Sequence, residues 1–322
     1  MKQQSFEDRY QRDWQQLENA LLKPKGNPGP HFPRHYRHLC HQLALAKHRR
    51  YSPQLVSGLN RLVLQAHHCL YQHNIRYRYQ LLRFVVYGFP TALRHNAHYV
   101  CCAMILFALP VLVMGFSCYD SEELIFSMMS PASVQQVETM YDPNAKAIGR
   151  ERQSDTDFMM FGFYIKNNIG ISFQTFAGGI LFGLGSVFFL ICNGLFLGGI
   201  TGHLTQMGFG STFYPFVIGH GAFELTAIVF SGAAGLKLGF ALLAPGPYCR
   251  VDALRLAGRE AVQIVYGSML MLVIAAFLEA FWSSSSTIPN TVKYGVGIAL
   301  WCFVLGYCFF AGKAYGSQSD HG

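Results

Sequence analysis

The sequence predicts an all-α fold: a polytopic transmembrane helical bundle of five or six spans, with a re-entrant segment as the alternative for one of them, and an N-terminal cytoplasmic helical region. Three observations carry this reading. Of 322 residues, 51% are hydrophobic and 13% charged, against about 25% charged in an ordinary soluble domain. Apolar runs of roughly the 20 residues needed to cross a hydrocarbon layer recur along the chain. Charge is divided by side, since residues 1–97 hold 15 Lys or Arg against 4 Asp or Glu, whereas 119–157 hold 3 against 8. Basic segments favour the cytoplasmic side, so 1–97 is expected inside and 119–157 outside, in a bacterial inner membrane.

Residues 1–97 make the first expected domain. Their start, "MKQQSFEDRYQRDWQQLENALL", is amphipathic and lacks the apolar core of a signal peptide, which leaves targeting to the first span. Ser5, with Asp8 three positions on, can open a helix in which Phe6, Tyr10, Trp14, Leu17 and Leu21 share a face. Pro and Gly in "KPKGNPGPHFP" (23–33) mark a loop. Ser52-Pro53 opens a further helix with Leu55, Leu59, Leu62, Ala66 and Leu70 as its apolar stripe. The stretch 76–95, "RYRYQLLRFVVYGFPTALRH", reads as interfacial, with Arg76, Arg78, Arg83 and Arg94 facing anionic headgroups. Basic and aromatic residues interleaved in this way also suit single-stranded RNA. The adjoining span makes lipid the expected partner, and no nucleic acid is expected.

The membrane domain is expected over 98–313, with 314–322 as a tail. Its first span is 98–119. In the acidic external loop, 119–157, Pro131 and Ser133 precede Val134, Val137 and Met140 at helical spacing. Three crossings are then expected near 168–190, 194–208 and 213–241, with a turn at Asn193-Gly194. The middle one is short, and a re-entrant hairpin is the alternative. The loop 245–260, with its arginines and its Pro and Gly residues, should be cytoplasmic. Spans at 261–283 and 294–312 follow, and Lys313 returns the chain to the cytoplasm.

Chemistry concentrates between 158 and 243. Gly194, Gly198 and Gly202 recur every four residues, as do Gly179 and Gly183, so small-residue stripes are expected to let helices pack closely; broken helices exposing carbonyls are the alternative. His220 and Glu224 share one helical face, and Gly219 and Gly221 leave room beside the histidine. An ionised carboxylate at mid-bilayer costs roughly 3 kcal/mol or more unless it is paired, protonated or wet. Three readings remain open. Glu224 accepts hydrogen bonds from His220, Asn168, Asn193 or a backbone amide in a packing cluster; or Asn167, Asn168, Asn193, His203, His220 and Glu224 line a transport path; or His203 joins the pair on a metal, although the HExxH signature is absent. Glu279, beside Phe281 and Trp282, reads as interfacial, and Lys166 and Lys237 as helix-end residues that snorkel. The nine cysteines show no metal-ligand spacing and no disulfide framework. No GxSxG, P-loop or dinucleotide fingerprint is present, so hydrolase, ATPase and kinase chemistry are disfavoured. Neither a cofactor nor a resident metal is expected.

The segments "MFGFYIKNNIGISFQTFAGGILFGLGSVFFLICNGLFLGGITGHLTQMG" (160–208) and "PFVIGHGAFELTAIVFSGAAGLKLG" (215–239) resemble the stage II sporulation protein M family of integral membrane proteins. The "NN", "NG" and "GHGAFEL" elements carry the likeness, and the N-terminal region resembles that of longer members from bacteria that make no spores. The resemblance implies a membrane scaffold in an envelope complex with cell-wall hydrolases. For the longer members it implies an assembly encoded near MoxR-type ATPases. It supplies no catalytic residues. The expectation is therefore a non-enzymatic scaffold that self-associates, with a transporter or channel around His220 and Glu224 as the rival.

Overall fold

The computed structural model describes residues 3–22, 32–71, 77–144, 157–285 and 287–312. It divides into two units, Met1–Gln80 and Leu81–Gly322. The first contains α1 (Gln3–Leu22), α2 (Phe32–His48) and α3 (Pro53–Tyr71). Each helix turns one apolar stripe inward: Phe6 and Leu17 from α1, Leu39, Leu43 and Ala46 from α2, and Leu59, Leu62 and Ala66 from α3. The half-buried Trp14 packs against this core while its Nε1 donates to Gln42 Oε1 at 2.7 Å, which satisfies the one polar atom of the indole. Ser5 lies inside α1 rather than at its cap, because the helix already begins at Gln3 and Gln3 Nε2 donates to Glu7 Oε1 at 2.6 Å. Ser52 does sit before α3, and the Leu55 amide donates to its hydroxyl at 3.4 Å. Of the expected loop at 23–33, residues 23–31 lie outside the described residues and Phe32 and Pro33 already begin α2; Lys313 also lies outside them.

The second unit begins at Leu81 rather than at 98. The run 77–95 forms α4 (Tyr77–Arg83), a π-helical turn (Phe84–Gly88) and α5 (Phe89–His95), and it is not simply interfacial. Phe89, Ala92 and Leu93 belong to the main apolar core, because Gly267 leaves room for the Phe89 ring. Of the four arginines expected at the surface, Arg76 and the side chain of Arg78 lie outside the described residues. Arg83 is exposed, whereas Arg94 donates to the carbonyls of Cys308 and Ala311 at the end of the last helix, a cation at a helix C-terminus.

The bundle itself consists of α6 (Ala97–Asp120), α7 (Pro131–Tyr141), α8 (Asp157–Ala177), α9 (Leu184–Gln206), α10 (Gly210–Leu243), α11 (Arg250–Phe277) continued by a π-helical turn (Leu278–Ser283), and α12 (Asn290–Phe310). Five of these, namely α6, α9, α10, α11 with its π turn, and α12, are long and apolar enough to cross a membrane. The helix α8 is as long as α12, but Lys166, Asn167 and Asn168 make it more polar.

The expected spans 168–190 and 194–208 are not where the helices fall. The break comes at Gly178–Gly183, where Phe182 and Gly183 take φ of 53° and 85°, the left-handed region that glycine tolerates. Asn193-Gly194 lies inside α9 instead, with Asn193 Nδ2 donating to Phe189 O one turn back at 2.7 Å. At 23 residues, α9 is about 34 Å long, enough to span, in place of the short segment expected at 194–208.

Close approach explains the register. Gly194, Gly198 and Gly202 lie against the carbonyls of Phe107, Val111 and Gly115, each of which a Cβ would overlap. α6 and α9 therefore run parallel with backbones touching every turn. α10 runs antiparallel to α9, with Gly232, Gly235 and Gly239 against Leu190, Ser186 and Gly183. α8 runs parallel to α10, joined by a hydrogen bond between the Ser172 and Ser231 hydroxyls. Gly179 and Gly183 belong to the turn between α8 and α9 rather than to a helix stripe, and Gly179 is pressed against the Gly235 backbone. Pro215 lacks an N–H, and the Ser211 carbonyl four residues back accepts from Asn290 Nδ2 at 3.0 Å.

Candidate functional site

Three kinds of polar contact sit in this bundle at different depths. At the end carrying the start of α6, the Lys237 ammonium donates to Asn96 Oδ1 at 2.7 Å and to a Glu260 carboxylate oxygen. Lys237 is thus an ion-paired residue whose side chain is 13% exposed, and it does not snorkel. At the opposite end, the segment after α6 folds back as an ordered cap. A 3-10 turn (Glu122–Ser127) and α7 bury Ile125, Met129 and Val134 against Cys118, Met114 and Ile200. Ser130 caps α7, accepting from the Ser133 amide at 3.3 Å. His203 Nε2 lies 2.7 Å from Glu138 Oε1, the Thr212 hydroxyl donates to Tyr141 O, and the Tyr141 ring meets Phe213 and Phe216 edge-on.

Between these ends lies the candidate site. His220 and Glu224 project from one face of α10, and Glu279 and Ser283 come from the π turn that continues α11. A ligand atom from each of His220, Glu224 and Glu279 lies within 4.8 Å of the other two. His220 is 5% exposed, its ring edge-on to Phe216, with Nδ1 3.0 Å from Ser283 Oγ. Lys293, at the start of α12 and 3% exposed, donates from Nζ to the Ser283 carbonyl at 2.8 Å. The Trp282 ring edge approaches α10 beside Gly219, where a Cβ would meet it at an ordinary contact distance of 3.9 Å. By helical rise Glu224 lies about 20 Å along α10 from Lys237, well inside a hydrocarbon layer about 30 Å thick. Two carboxylates so close at that depth need a proton, a cation or both to offset their charge.

Of the six residues expected to share a polar cluster, the structure brings together His220 and Glu224. Asn193 bonds within its own helix, which removes it as a donor to Glu224, and His203 belongs to the cap, which removes it as a ligand beside His220. Asn168 is 2% exposed; its Oδ1 accepts from Asn167 Nδ2 at 2.9 Å, and its Nδ2 has no partner among the described residues. Asn167 and Lys166 are exposed, and Lys166 lies within α8 rather than at its end. Glu279 is the third member of the cluster, since the π turn directs it toward α10. Its signal was available, because it is the one charged residue in 261–283. Ser283 and Lys293 carried none, since a serine and a flanking lysine are ordinary at a span's end.

These helices, with their polar contacts at depth and close backbone contacts, define a multi-pass α-helical membrane protein. The family model described as stage II sporulation protein M matches residues 103–284, more than half of the chain and all of the cluster except Lys293. The chain belongs to that family. A second family model, described as a domain of unknown function (DUF8413), matches residues 4–72, the three-helix unit. Among curated proteins, the chain is similar to the uncharacterized protein MJ0793 of Methanocaldococcus jannaschii, 27% identical over 128 residues, which is 38% of this chain and 69% of that one. No solved structure matches.

Proposed function

We propose that the protein is a non-enzymatic scaffold of the bacterial inner membrane that presents an external docking platform, with residues 1–97 cytoplasmic. One observation carries this reading: the cap over 121–144 is clamped to three elements of the bundle, by an apolar cluster with α6 and α9, by Glu138 with His203 of α9, and by Tyr141 with α10. A loop that merely joined two spans would need no such clamp. The cap also holds Leu124 and Phe126 exposed, at 40% and 49%, which suits apolar anchors of a partner. Family membership favours cell-wall hydrolases or a MoxR-type ATPase system as partners. Self-association is part of the same reading, because α8 exposes Lys166 and Asn167 at the depth of Glu224, where a second copy could cover them.

The test is purification from the native host in mild detergent, with photo-crosslinking residues placed at Leu124 and Phe126. A near-stoichiometric envelope protein crosslinked at these positions is the expected result. Crosslinks to lipid alone, with no co-purifying protein, would overturn the scaffold. The rival transporter reading draws on the His220, Glu224 and Glu279 cluster, and it predicts flux in liposomes that is lost in Glu224→Gln while the protein stays folded.

A further inference from the structure

We infer that His220, Glu224 and Glu279 form an intramembrane binding site for one divalent transition-metal ion. Their ligand atoms lie within 4.8 Å of one another, and a first-row ion holds such atoms about 3.3–3.5 Å apart at bonds near 2.0–2.2 Å. Small side-chain rotations would close the difference. One imidazole with two carboxylates is a borderline donor set, matched to zinc, iron or manganese rather than to a soft ion that selects sulfur. The remaining positions would be filled by water carried in with the ion.

Two features independent of that spacing support a ligand. His220 Nδ1 is within hydrogen-bonding distance of Ser283 Oγ, 3.0 Å. With its proton on Nδ1 the imidazole would be fixed by this contact and would keep the Nε2 lone pair for the ion, the way metal-binding histidines use their second nitrogen. Ser283 is in turn held through its own carbonyl by Lys293 at 2.8 Å, so the orienting residue is itself fixed. The second feature is the π turn Leu278–Ser283. Such turns are uncommon and recur at functional sites because the extra residue re-aims the side chains it carries. Here it supplies both Glu279 and Ser283. The ion would place positive charge between two carboxylates inside the bundle and would tie α10 to the end of α11. This inference does not depend on the scaffold reading, because a bound ion is compatible with a scaffold, a transporter or an enzyme.

The experiment uses the full chain in detergent, stripped with a chelator and titrated with Zn²⁺ alone by calorimetry. The histidines of α2 can take up zinc adventitiously, so the readout is a difference in stoichiometry. Wild type should bind one equivalent more than Glu279→Gln, with both showing the same thermal unfolding. Ser283→Ala should keep that equivalent but weaken it about 10- to 100-fold. Equal stoichiometry in wild type and a folded Glu279→Gln would overturn the site. Should Glu279→Gln not accumulate, zinc-edge X-ray absorption of wild type loaded with one equivalent decides. A shell of oxygens with a single imidazole upholds the inference, and a shell with two or more imidazoles or with sulfur, an adventitious site only, refutes it.

Discussion

Gly198 shows how much rests on the absence of one methyl group. A Cβ there would overlap the Val111 backbone, whereas at Gly170 it would meet nothing within 4 Å. Lipid gives helices no hydrophobic reason to associate, so contact between backbones is where association energy arises. Gly198→Ala is therefore expected to lower stability in detergent by about 1–3 kcal/mol, the usual cost of overpacking. Gly170→Ala should change it little, as heat- or denaturant-induced unfolding of both variants would reveal. Loss of the same size in both would place the α6–α9 contact elsewhere. The repeat of glycines was legible in the sequence; its partner was not, since spacing alone does not say which helix a stripe faces. Glu279 illustrates the same limit. Its charge stood out in an apolar span, but the π turn that aims it at α10 depends on packing among three helices.

Among the elements, the cap is the one whose order depends on side chains distant in sequence. Glu138 and His203 are 65 positions apart and 2.7 Å apart in space. Charge-assisted contacts of this kind are worth a few kcal/mol at most, and less where one partner is 30% exposed. Glu138→Ala should leave the bundle intact and loosen the cap, seen as faster hydrogen exchange over 121–144 with unchanged exchange in α9 and α10. Unchanged exchange in the cap would mean that Ile125, Met129 and Val134 hold it unaided. Helical spacing foretold α7 and Ser52-Pro53 foretold the start of α3, because both are local signals. The break between α8 and α9 was misplaced at Asn193-Gly194, since an Asn-Gly pair is a turn signal only when the asparagine side chain is not already bonded one turn back within a helix.

For the whole molecule, the basic segment 1–97 precedes α6 in the sequence and the acidic segment 119–157 follows it, and positive residues favour the cytoplasmic side. In a cysteine-free background, an impermeant maleimide added to intact cells should label Gln135→Cys in the cap and not Gln54→Cys in α3. The reverse pattern would invert the orientation and remove the external platform. The two units also differ in what folds them. The three-helix unit closes an ordinary apolar core that water drives together, while the bundle relies on glycine contacts and on polar groups paired at depth. Composition, hydropathy and charge division by themselves determined that this chain is an all-α, multi-pass membrane protein, because those quantities sum over many residues and tolerate local error. Only the tertiary structure decided that Glu279 rather than His203 completes the polar cluster, that Glu138 holds His203, and that α6 is the partner of the Gly194 stripe. Each of those is a contact between segments far apart in the chain, fixed by which backbones can touch.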